Sequence, residues 1–164
     1  VILQNKNAVI YGAGGSLGGA VAKALAAAGA HLYLTGHHIP SVQKLADEIK
    51  TSGAHAEVDL VDALDEKSII SHLEKMVQQK KKIDISFNAI GVPVVQNIPL
   101  TDIKVEDFIS PVTAMTKSQF LTATAAGRIM MKQKSGVILS LTATPGGIGY
   151  PHTGGFAPAC SAVE

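Results

Sequence analysis

A chain of 164 residues with 46% apolar and 16% charged side chains has the size and balance of one globular domain, so a single unit over residues 1–164 is expected. Its 14 Lys and Arg nearly match its 13 Asp and Glu, which argues against nucleic acid or another polyanion as partner. One cysteine excludes an internal disulfide, no apolar run approaches the roughly 18 residues of a membrane span, and no leader pattern opens the chain, so a cytoplasmic protein without membrane contact is expected.

Short apolar runs alternate with helical patterns. Residues 8–11 read as a buried strand, and Leu17, Val21 and Leu25 then share one helical face that closes at Gly29. Residues 32–35 are a second strand, followed by a helix with Pro40 in its first turn, Val42, Leu45 and Ile49 on its apolar face, and Gly53 beyond its end. Residues 56–58 make a third strand. Asp65 and Glu66 open the next helix, which Ile69, Leu73, Met76 and Val77 face, and the lysine run 80–82 lies past its C-terminus, where cations are favoured. Residues 83–87 are a fourth strand, 112–132 a long helix and 137–141 a fifth strand. This alternation implies an α/β fold: a parallel sheet with helices on both faces and right-handed crossovers.

The stretch YGAGGSLGG, residues 11–19, lies where the first strand turns into a helix. Helix N-terminal amides carry partial positive charge, and glycines let the backbone approach an anion with no Cβ in the way. A G-x-G-x-x-G reading fails, because Leu17 occupies the place of the third glycine. Such a turn also occurs as a purely structural connection.

Gly12 with Gly18 six residues on resembles the glycine motif of the short-chain dehydrogenase/reductase family, with Ser16 in place of the middle glycine. Further agreement follows in order. DISFNAIG, residues 84–91, resembles that family's D-I-L-V-N-N-A-G strand end, Asp59 in EVDL falls on its adenine-contacting acid, and SGVILSLTATPGG, residues 135–147, resembles its fifth strand and following loop. The resemblance implies a Rossmann-like, doubly wound sheet of order 3-2-1-4-5, with the first and fourth strands meeting at the switch point. It therefore implies one nicotinamide dinucleotide in the crevice. Gly12, Gly14, Gly15, Ser16, Leu17 and Gly18 would stand on one side and Asn88, Ala89, Ile90 and Gly91 on the other, with Asp59 and Leu60 at the adenine and Gly36, His37 and His38 at the ribose.

NADP is favoured over NAD because LTGHH, residues 34–38, carries no carboxylate and is similar to the T-G-R form associated with NADP, His37 taking the arginine position. The alternative for both histidines is a solvated loop. A metal site is not expected, since adjacent side chains diverge and no third ligand stands at a chelating spacing.

The family works on a carbonyl/alcohol pair with an Asn-Ser-Tyr-Lys tetrad. By the same resemblance Met115 falls on the asparagine, Ala143 on the serine, Phe156 on the tyrosine and Cys160 on the lysine. All four are substituted, and the proton-transfer groups are gone. Tyr150 and His152 are possible substitutes, and Thr142 would reach the serine role only with a shifted strand register. Cys160 reads either as a small packed hydrophobe or as a thiol activated near a helix N-terminus. The expected function is an NAD(P)-binding oxidoreductase with atypical or impaired catalysis, the alternative a non-catalytic dinucleotide-binding protein with a regulatory or structural role. The resemblance also implies that the C-terminal strands and the substrate loop lie beyond this chain. It further implies a homo-oligomer formed along the long helix, where Ala123, Ala125, Ala126 and Gly127 would permit close approach.

Overall fold

A computed structural model describes residues 2–79, 81–143 and 152–164. Five strands, β1 (Asn7–Tyr11), β2 (His31–Gly36), β3 (Ala56–Leu60), β4 (Ile85–Asn88) and β5 (Val137–Ser140), form one parallel sheet of order β3-β2-β1-β4-β5. Helices α1 (Ser16–Ala27), α2 (Ile39–Thr51), α3 (Glu66–Gln78) and α4 (Val105–Gln133) connect them, and α5 (Phe156–Ser161) packs against α4. The expected sheet order and α/β class are what the chain adopts.

Alternation along β1 and β2 divides the core between two faces. Ala8, Ile10, Leu32 and Leu34 meet α1 and α2, while Val9, Tyr11 and Tyr33 meet α3 and α4. Burying alternate residues on opposite faces is what a strand covered by helices on both sides requires.

The helix faces differ from the expected ones in detail. The buried residues of α1 are Gly18, Ala22 and Ala26, and Leu17 is exposed. A Cβ at Gly18 would collide with the Gly12 carbonyl oxygen, so the smallest residues, one position along from the leucines, let α1 lie directly on the turn. On α3 the buried stripe is Ile69, His72, Leu73 and Met76, and Val77 is exposed. Its N-cap Asp65 accepts a hydrogen bond from the Lys67 amide at 3.1 Å. Lys80, in the expected lysine run, lies outside the described residues.

Helix α4 begins at Val105, before the expected residue 112, and continues through the buried Pro111. Glu106 and Asp107 in its first turn favour the positive end of the helix, a signal legible in the sequence. The small residues Ala125 and Ala126, expected at an intersubunit contact, are instead buried against the chain's own sheet. The outward stripe carries Ile109, Phe120 and Met131, spaced eleven residues apart and therefore on one face, all exposed. All four residues of β5 are exposed as well.

Candidate functional site

At the end of β1 the chain turns through Gly12, whose φ of +73° is left-handed. A Cβ there would stand 2.8 Å from the Ala89 carbonyl oxygen and 3.0 Å from the Ile90 Cα, so the turn rests directly on the exit of β4. The Ala89 amide donates to the Tyr11 carbonyl at 2.9 Å and closes this junction. Glycine is required here by conformation and by space together.

Gly15 caps α1 without any side-chain bond, and the first helical bond runs from the Gly19 amide to the Gly15 carbonyl at 2.8 Å. The amides of Ser16, Leu17 and Gly18 precede it and have no carbonyl one turn back to bond. They form the positive end of a twelve-residue helix. At Gly15 an added Cβ would meet nothing nearer than the Gly12 carbonyl at 3.5 Å. The backbone is thus bare where an anion would approach.

A cavity of about 260 Å³ lies beside this turn. It brings together Gly12, Gly14, Gly15, Gly36, His37 and His38 with Ala89, Ile90 and Gly91, nine of the residues expected at the dinucleotide. Ser16, Leu17, Gly18, Asp59, Leu60 and Asn88 do not line it; Ser41, Val42, Val61 and Ala63, which the sequence reading missed, do. The reason for the change at β3 is strand length: it runs to Leu60, two residues past the expected end, so the chain turns toward the cavity at Val61. A larger groove of about 800 Å³ between α3 and α4 shares no residue with this cavity.

Asn88 acts from behind the cavity. Its side chain is buried, donates from Nδ2 to Thr122 Oγ1 at 3.0 Å, and accepts the Ile90 amide on Oδ1 at 3.0 Å. It holds the backbone of residues 89–91. Asp59 is similarly committed, with Oδ1 3.0 Å from Lys75 Nζ and Oδ2 3.5 Å from His72 Nε2, both on α3. At 3.5 Å the imidazole gains no hydrogen bond, and both ring nitrogens of this buried His72 lack one. Burial pulls His72 below the usual imidazole range, with the attraction of Asp59 opposing. The Tyr11 hydroxyl is also buried without a partner, and burial raises it above the usual phenol range.

His37 is where folding changes the expected electrostatics most. No carboxylate lies within residues 34–38, but Asp62, from the loop after β3, places Oδ1 3.3 Å from His37 Nε2. An acid does face this turn.

The four residues expected at the tetrad positions do not line the cavity. Met115 on α4 is partly buried, Ala143 follows β5 and is exposed, Phe156 opens α5, and Cys160 is buried at 1% exposure. Thr142 Oγ1 donates to the Cys160 carbonyl at 3.1 Å, which ties the exit of β5 to α5. His152 Nδ1 lies 2.9 Å from the Ile98 carbonyl, and the Asn97 amide donates to the His152 carbonyl at 2.8 Å. Both bonds hold His152 on the loop before α4. Tyr150 lies outside the described residues.

The family model for short chain dehydrogenases matches residues 6–164, and the chain belongs to that family. An uncharacterised oxidoreductase of Mycobacterium tuberculosis is 30% identical over 159 residues, covering 96% of this chain and 57% of its own length. The 2,3-dihydro-2,3-dihydroxybenzoate dehydrogenase of Bacillus subtilis is 26% identical over 146 residues, covering 89% of this chain and 55% of its own. The chain thus spans a little over half the length of these relatives. Among solved structures, NAD+-bound xylitol dehydrogenase superposes with a TM-score of 0.91 at 25% identity over 98% of this chain and 62% of its own. A metagenomic short-chain oxidoreductase in complex with NADP has the same fold, with a TM-score of 0.88 at 21% identity over 99% of this chain and 73% of its own. Among the described residues no helix is long and apolar enough to cross a membrane, and no group of three His, Cys, Asp or Glu could hold a metal ion.

Proposed function

We propose that this chain is the dinucleotide-binding portion of an oxidoreductase acting on a carbonyl/alcohol pair, with catalysis impaired by its tetrad substitutions. The observation that carries the reading is the junction at Gly12. A turn pressed onto Ala89 sets the bare backbone of Gly12, Gly14 and Gly15 along one cavity, with the uncapped amides of α1 next in the chain. Those features fit a dinucleotide: the amides of residues 16–18 would receive the diphosphate, and Val61 and Ala63 would give the adenine an apolar wall. The bound nicotinamide would supply hydride transfer. Absence of a carboxylate within residues 34–38 supports NADP, and Asp62 weighs against it.

The chain's own proton-transfer capacity is weak. Phe156 and Ala143 have no donor, and loss of a general acid typically costs about 10²- to 10⁴-fold in rate. A second reading, a non-catalytic dinucleotide-binding protein, is favoured specifically by Cys160, whose side chain is buried where the family's lysine is expected. Assembly into a homo-oligomer in the cytoplasm belongs to the same proposal, and the exposed Ile109, Phe120 and Met131 stripe supports the assembly.

Fluorescence titration with NADH and NADPH tests the reading. Binding of at least one should saturate below millimolar concentration. Gly15→Asp should weaken it at least about tenfold by setting a carboxylate against the diphosphate, a charge repulsion worth that much where water is partly excluded. Its melting temperature should stay close to that of the wild type, because the Cβ has room. No binding by the wild type, or equal binding by Gly15→Asp, would contradict the proposal.

A further inference from the structure

We infer that Asp62, acting through His37, discriminates between the two nicotinamide dinucleotides and favours the one whose adenosine ribose carries a free 2′-hydroxyl. This rests on the dinucleotide reading of the same crevice. The carboxylate is fixed by its own loop: Oδ1 accepts the Leu64 amide at 2.8 Å, the Asp62 amide donates to Ser68 Oγ at 3.1 Å, and the Asp65 amide donates to the Asp62 carbonyl at 3.1 Å. Its chain neighbours Val61 and Ala63 both line the cavity, as does its partner His37. Asp62 itself does not line the cavity; it stands directly behind the wall formed by the exits of β2 and β3 and reaches it through His37, which does.

Charge decides the consequence. With His37 neutral the pair carries one negative charge, and with His37 protonated it carries none. In neither state is it positive. A 2′-phosphate brings about two further negative charges and needs a cation opposite. Among the described residues the cavity lining contains no Lys or Arg, and His38, the other imidazole there, has no ion pair. A ribose hydroxyl has the opposite preference, since a carboxylate accepts its hydrogen bond. Asp62 thus takes the part that dinucleotide folds commonly give to an acid at the end of the second strand, and reaches the same turn from the third.

Parallel titrations of the chain with NADH and NADPH, for wild type, Asp62→Asn and His37→Ala, test this. Wild type should bind NADH several-fold more tightly. Asp62→Asn should tighten NADPH roughly five- to tenfold, the size of one unit-charge interaction near a solvated surface, and leave NADH within about twofold. His37→Ala should leave the preference for NADH in place, because Asp62 keeps its charge. Raising salt from about 0.05 to 0.5 M should narrow the wild-type preference and leave that of Asp62→Asn nearly constant. The asparagine oxygen still accepts the Leu64 amide, and Asp62→Ser repeats the test with a second acceptor should the first variant lose its melting transition. Tighter NADPH binding by the wild type, or an Asp62→Asn ratio unchanged within twofold while both cofactors bind, overturns the inference. Failure of both cofactors to bind any form sinks the dinucleotide reading itself, and the inference with it.

Discussion

The Thr122 hydroxyl accepts a hydrogen bond from Asn88 at 3.0 Å and donates its own proton to the Ser118 carbonyl at 2.8 Å, one turn earlier on α4. A hydroxyl has one proton and two lone pairs, so both bonds form at once. Through them the middle of α4 holds the exit of β4, and with it the half of the crevice that touches Gly12.

Thr122→Val keeps the shape and removes the acceptor, leaving a buried Asn88 N–H unpaired. The expected loss is about 1–3 kcal/mol in urea unfolding, with Thr122→Ser close to wild type in the unfolding midpoint. Nucleotide binding should weaken alongside, because residues 89–91 lose the asparagine that orients them. Unchanged stability in Thr122→Val would show that the bond contributes nothing.

His72 carries a pH dependence. Burial lowers its proton affinity in the folded state, with Asp59 pulling the other way and Lys75 reinforcing burial. The unfolded chain, where imidazole titrates near ~6.5, therefore binds the proton more readily than the folded one. Stability from this residue is fully present above that range and is lost as pH falls through it toward the lower folded value. Urea midpoints should drop between about pH 7.5 and 5.5. His72→Leu should flatten the drop, and its stability at neutral pH should hold or rise, since two unbonded ring nitrogens disappear. A wild-type midpoint that stays level, or a slope that persists in the variant, would refute the assignment.

Cys160 should behave as a packed side chain. A thiol at 1% exposure should react with Ellman's reagent far more slowly than glutathione, and fully once urea unfolds the chain. Cys160→Ala should cost little and leave nucleotide affinity unchanged. Cys160→Lys sets an ammonium in the same space and should cost about 2 kcal/mol or more, at the upper end for single substitutions. Rapid native labelling would revive the reactive-thiol alternative.

Element type and order were legible in the sequence because strand runs and helical stripes obey local periods, and Gly29 and Gly53 punctuate them at φ +95° and +86°. The glycine turn and its partner at residues 88–91 were legible for the same reason: both rely on backbone and small residues whose identity is itself the signal. Less local features were not. Whether leucine or glycine faced the sheet on α1 depended on how closely that helix could approach Gly12, a distance set by packing between elements.

By itself, then, the sequence determined the doubly wound sheet and the crevice between its first and fourth strands, since each follows from residue type and chain order. Only the tertiary structure decided which side chains share that crevice. Asp62 and His37 are twenty-five residues apart and meet because β2 and β3 are neighbours in register, and Asp59 is engaged by Lys75 of α3. Charges act through distance in space, and that distance is written in the strand pairing, which no local pattern of residues records.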